Sequence, residues 1–186
     1  TPDQGDDGHG HDAAESGDPH VWQDPARIAG ALDVIASAVI ATGRDQIEVD
    51  ACTEEYRAEL EQLDRDITAT LASIPDERRV LVTNHDSLAY FADRYDLTVI
   101  GTVIPSMSTV AETDAAALAE LSDVIDEHDV PAIFSGELES SADAEALAGR
   151  LGVAIVPIPT DSLTTGGDAS TYVDLMRSNA TTIAAA

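Results

Sequence analysis

Apolar positions fall at helical spacing twice in the first half of the chain, and then the rhythm changes. Ile28, Leu32, Ile35 and Val39 mark one face of a helix predicted from Pro25 to about Thr42. Asp24 is its cap, Pro25 sits in the first turn where a missing N–H costs nothing, and Gly43 ends it. Tyr56, Leu60, Leu63, Ile67 and Leu71 form the stripe of a longer helix, predicted from Thr53 to about Ser73, opened by Thr53-Glu54-Glu55 and closed by Pro75.

Beyond Pro75 short apolar runs alternate with amphipathic stretches. Strands are expected at Arg79 to Thr83, Thr98 to Val103, Ala132 to Ser135 and Val153 to Pro157, and helices at Ser87 to Tyr95, Thr113 to Glu127, Ala142 to Leu151 and Ala169 to about Ala184. Near-continuous apolar strands separated by helices predict an α/β fold: a parallel sheet of about four strands with helices on both faces. Residues 1–18 show no such pattern and mix acids with glycines and with His9 and His11, the composition of a flexible acidic loop.

Ligands of such sheets gather at the carboxyl ends of the strands. His85, in Thr83-Asn84-His85-Asp86, and Asp161, in Pro159-Thr160-Asp161-Ser162, both fall there, and His20 stands in Asp18-Pro19-His20-Val21-Trp22 before the first helix. Each has a plainer use: His20 packed beside Trp22, His85 as a helix cap, Asp161 as a turn residue. Together the three make most of a metal site. Two neutral imidazoles with one carboxylate suit four-coordinate zinc, while manganese favours more oxygen ligands, so zinc is expected and manganese is the alternative. Glu137, at a strand end, is a candidate to orient a ligand histidine by accepting its second ring N–H. Ser106 and Ser108 are expected to satisfy backbone groups near the cleft. His128 is explained by its place after a helix.

Composition limits the partners. Thirty-six acidic residues against nine basic ones give a formal charge of −27, and every basic residue is an arginine. That charge opposes nucleic-acid and anionic-membrane binding and suits a folded domain in a high-salt setting, where counterions screen self-repulsion over about 3 Å at 1 M salt. No run of about 20 apolar residues could span a bilayer, and no secretory signal is recognisable, so an export signal is expected to lie upstream or to have been removed. Cys52 is alone, which excludes an internal disulfide framework and a cysteine-built zinc site; it reads as a small, partly buried residue near a helix start. A zinc-dependent hydrolase with Glu137 as general base is the rival reading, but no His-Glu-x-x-His run or nucleophile elbow is present, and no enzyme is expected.

Four segments in order carry a resemblance: Asp18-Pro19-His20-Val21-Trp22 with Asp24-Pro25; Val82-Thr83-Asn84-His85-Asp86-Ser87-Leu88-Ala89-Tyr90-Phe91; Gly101-Thr102-Val103-Ile104-Pro105-Ser106-Met107-Ser108-Thr109; and Thr160-Asp161-Ser162-Leu163. Over residues 18–186 the chain resembles the zinc and manganese substrate-binding proteins of ABC importers, the metal-binding lipoprotein or adhesin family. The resemblance implies metal ligands at His20, His85 and Asp161. It implies residues 1–18 as the family's histidine-rich loop, 19–52 as the remnant of an amino-terminal lobe, 53–75 as a connecting helix and 76–186 as the carboxy-terminal metal-binding lobe. Members begin with a complete amino-terminal lobe carrying a further histidine. The expectation is therefore a fragment with three of four ligands, the gap open to water, His9 or His11. Manganese-selective relatives often carry glutamate where His85 stands, which also favours zinc. The implied protein is an extracytoplasmic monomer at the cell surface, held there in full length by a lipid anchor, that delivers a divalent metal to a membrane permease. A surface adhesin is the third reading, for which the family name alone gives precedent.

Overall fold

The computed structural model describes residues 17–104, 115–136, 142–167 and 169–186. Helix α1 spans Pro25–Ala41; its cap Asp24 accepts the Ala26 N–H at 2.8 Å, and Gly43 follows at φ 93°, a left-handed value suited to glycine. Helix α2 spans Gln46–Leu71 and starts seven residues before the expected Thr53. The physical reason lies in two side chains. Asp45 takes the Glu48 N–H at 3.1 Å as the cap, whereas the Thr53 hydroxyl is spent on the Val49 carbonyl inside the helix at 2.7 Å. Cys52 therefore lies within the helix, and it is exposed rather than partly buried.

Four strands follow, β1 (Val80–His85), β2 (Thr98–Ile104), β3 (Ala132–Ser135) and β4 (Ala154–Pro157), in the spatial order β2-β1-β3-β4 with every pairing parallel. Between them run α3 (Ala89–Arg94), α4 (Ala115–Glu127) and α5 (Ala142–Leu151), and α6 (Tyr172–Ala185) closes the chain. Strand residues alternate between two cores. Leu81 and Phe134 pack with α2, α3 and α6 through Leu63, Phe91 and Met176, while Val82 and Ile133 pack with α4 and α5 through Ile125 and Leu147. Both faces of the central strands β1 and β3 are thus covered, the condition that makes parallel strands apolar along their length, while the edge strand β4 leaves Ala154 and Ile155 exposed. Gly101 lets α4 approach β2: a Cβ there would stand 2.3 Å from Leu121 Cδ1.

Arg79, just before β1, joins elements at the amino edge of the sheet. Its guanidinium donates to the carbonyls of Leu71 and Asp96, each at 2.9 Å, and also to those of Ile74 and Tyr95. At the opposite edge the connections from β1 and β3 leave in different directions, toward β2 and β4 respectively, which opens a crevice at the carboxyl ends of the strands.

Candidate metal centre

His85 is the last residue of β1, buried at 2% exposure and held in register opposite Ile104. It does not cap α3, whose N-cap position is Leu88, with no side-chain cap. Asp161 lies in the loop after β4, and His20 stands at the head of a short 3-10 turn, Val21–Gln23, that leads into α1. The fold brings all three together. One donor atom from each lies within 4.8 Å of the other two. The Asp161 carboxylate spans the pair, Oδ1 at 3.8 Å from His20 Nε2 and Oδ2 at 3.6 Å from His85 Nε2. Donors bonded tetrahedrally to one zinc at about 2.0–2.1 Å sit roughly 3.3 Å apart, so the carboxylate stands somewhat farther from each imidazole than it would in an ion's shell, and the group must draw in to close on a metal. The His20 and His85 rings approach edge-to-face with centroids 5.6 Å apart.

The burial of the three is unequal. His20 and His85 are sealed, whereas the Asp161 side chain is 42% exposed. Asp18 fixes the His20 ring: its Oδ1 receives His20 Nδ1 at 2.7 Å and the His20 backbone N–H at 2.9 Å. A carboxylate accepts, so Nδ1 is the ring nitrogen that donates to Asp18, and Nε2 is the one turned toward Asp161. Packing beside Trp22 also holds, with ring centroids 5.3 Å apart, so that role and the ligand geometry coexist in His20.

Further side chains brace the loops. Trp22 Nε1 and Gln23 Nε2 both donate to the Thr160 carbonyl, at 2.8 and 2.9 Å, and Asn179 Nδ2 donates to that of Pro159 at 2.7 Å. Tyr172 donates its hydroxyl to the Trp22 carbonyl at 2.7 Å. Burial pushes the Tyr172 hydroxyl well above the usual tyrosine value, with the charges of Tyr56 and Asp24 adding to this, which keeps it a donor. Tyr90 donates to the Asp18 carbonyl at 3.3 Å beneath the Arg27 guanidinium, 4.4 Å from the ring centroid.

Sequence reasoning missed Asp18, Gln23, Tyr172 and Asn179 as supports. The one available signal was Asp18 in Asp-Pro-His, where an aspartate bonds backbone two residues on. Gln23, Tyr172 and Asn179 act across 137, 150 and 20 residues of sequence and leave no local trace. Glu137, Ser106, Ser108, His9 and His11 lie outside the described residues. His128 is exposed beyond the end of α4 and takes no part in the His20–His85–Asp161 group.

A family model described as zinc-uptake complex component A, periplasmic, matches residues 1–186. The zinc-binding protein TroA of Treponema pallidum is 30% identical over 178 residues, covering 91% of this chain and 57% of that relative. The manganese-binding lipoprotein MntA of Halalkalibacterium halodurans is 27% identical over 168 residues, 89% of this chain and 55% of its own length. The chain thus spans little more than half the length of these relatives. Among solved structures, the periplasmic zinc-binding TroA of Treponema pallidum superimposes with a TM-score of 0.81 at 29% identity, over 90% of this chain and 63% of that one. These names describe metal uptake and metal binding, and none describes an enzyme. With its parallel four-stranded sheet and the match of the family model along its whole length, the chain belongs to the ZnuA family of metal-binding substrate-binding proteins of ABC importers.

Proposed function

We propose that the protein captures a divalent transition metal at His20, His85 and Asp161, with zinc preferred to manganese, and delivers it to the membrane permease of an ABC importer. The observation that carries this reading is the convergence of two sealed imidazoles and one solvent-facing carboxylate from a strand end, the turn before α1 and the loop after β4. A nitrogen-rich donor set favours zinc, and the oxygen ligands that would favour manganese are fewer. The relatives point both ways, one named for zinc and one for manganese.

In this reading the protein works outside the cytoplasm, tethered in full length by a lipid anchor. No helix among the described residues is long and apolar enough to cross a membrane. Helix α2 serves as the connector between the remnant of a first lobe and the α/β lobe that follows it. Asp18 orients the His20 ring so that Nε2 is the nitrogen presented to the ion.

Calorimetric titration with zinc and with manganese tests the proposal. His20→Ala and His85→Ala should each cost more than the roughly 10–100-fold that follows loss of a residue merely supporting a ligand, with circular dichroism unchanged. Undiminished zinc binding by the double variant would refute the site. Tighter manganese than zinc binding by the unaltered protein would reverse the metal preference.

A further inference from the structure

We propose that Gln23 is a positioning residue for Asp161, locking the loop that carries the carboxylate to the turn that carries His20. The inference rests on the metal-site reading above and adds to it a residue that touches no metal.

The turn and the loop meet at one atom. The Thr160 carbonyl belongs to the peptide bond that Thr160 shares with Asp161, so its direction sets where the Asp161 side chain leaves the backbone. Gln23 Nε2 and Trp22 Nε1 both donate to that oxygen, at 2.9 and 2.8 Å, using its two lone pairs. The Gln23 backbone N–H in turn donates to the His20 carbonyl at 3.0 Å, so the same residue closes the His20 turn and grips the Asp161 peptide. From the other side Asn179 holds the preceding carbonyl, that of Pro159, at 2.7 Å.

Burial argues that the N–H is what the glutamine contributes. Gln23 has no exposed surface, and its Oε1 has no partner among the described residues. A buried amide with an idle acceptor is a poorer filler than methionine, which matches its length and leaves no polar atom unsatisfied. What methionine cannot supply is the bond to Thr160. With it, Asp161 stands at the two imidazoles before any ion arrives, and the entropy of ordering the loop is spent in folding rather than in binding. Losing the bond should therefore show mainly as faster metal release.

The experiment is a double-mutant cycle between Gln23→Met and Asp161→Ala, with zinc affinity read by chelator competition and release by chelator capture. Gln23→Met should weaken zinc about tenfold, mostly through faster release, and shift the visible absorption bands of the cobalt(II)-loaded protein. In the Asp161→Ala background the same substitution should change affinity little. Equal weakening in both backgrounds, or unchanged affinity and cobalt spectrum in a folded Gln23→Met protein, would overturn the proposal. Should Gln23→Met fail to fold, Trp22→Phe removes the other donor to the same carbonyl and must show the same dependence on Asp161. If zinc binding survives both His20→Ala and Asp161→Ala, the metal-site reading itself fails; if those two weaken it and only the cycle is additive, the fault is confined to Gln23.

Discussion

From Leu60 to Leu71, helix α2 runs beneath the α/β lobe with Leu60, Leu63, Ile67 and Leu71 at 1% exposure or less; nearer its start, the same helix leaves Ile47 79% exposed. The second half is fixed by apolar burial against Phe91, Phe134 and Met176. The first half rests on α1 more lightly, through half-buried Tyr56 beside the cluster that holds Leu32 and through Arg57, which donates to the Ala29 carbonyl at 2.8 Å and to Asp33 at 2.6 Å. One periodic pattern produces helix in both places, but what the helix contributes differs. A buried leucine loses solvent on all sides when the chain folds, whereas an exposed isoleucine loses little.

The contrast can be broken at its strongest point by Leu63→Ala. Its cavity would lie between α2 and the lobe, and the expected loss is about 2–5 kcal/mol, measured by urea denaturation at fixed pH and salt. Within the buried half stands Asp64, whose carboxylate takes Arg94 Nε at 2.9 Å and the Tyr95 hydroxyl at 3.1 Å. The hydrogen bond from Arg94 holds Asp64 below the usual carboxylate range, against the opposing effect of burial. A depressed value means stability present above the unfolded value of about 3.9 and lost as pH falls toward the native one. Asp64→Asn should therefore be less stable than the unaltered protein at pH 7, with the gap closing below about pH 4; a gap independent of pH would show that Arg94 matters there for packing alone. The smallest effect belongs to Ile47→Ser, expected within about 0.5 kcal/mol by the same denaturation. A larger loss would mean that the first half of α2 is buried in solution.

How far these elements could be read beforehand follows the same division. Leu60, Leu63, Ile67 and Leu71 announced the second half of α2 because burial imposes the 3.6-residue period, and the strand runs announced the sheet because both faces of its central strands are covered. The start of α2 went astray at Thr53. In the first half burial is only partial, as at Val49, Thr53 and Tyr56, and two cap-like residues, Asp45 and Thr53, compete on equal local terms. His20, His85 and Asp161 were legible as ligand types next to strand and helix ends, and topology explains why they converge. Their braces were not. Tyr172 and Asn179 read as ordinary positions of an amphipathic helix, and only the folded chain shows that their side chains reach the site loops.

Arg79 has a consequence for how the molecule responds to salt. Its partners are neutral carbonyls at the end of α2 and around the start of β2, so its hold does not depend on an opposite charge that counterions can screen. An exposed pair such as Arg177 with Asp66, at 2.9 Å, weakens as salt rises. So, far more widely, does the mutual repulsion of a chain carrying −27. Salt therefore removes more strain than support, and the thermal midpoint should climb as sodium chloride increases from 0.1 to about 1 M, where the screening length shrinks from about 10 to 3 Å. Fasteners made of backbone oxygen keep their grip in brine.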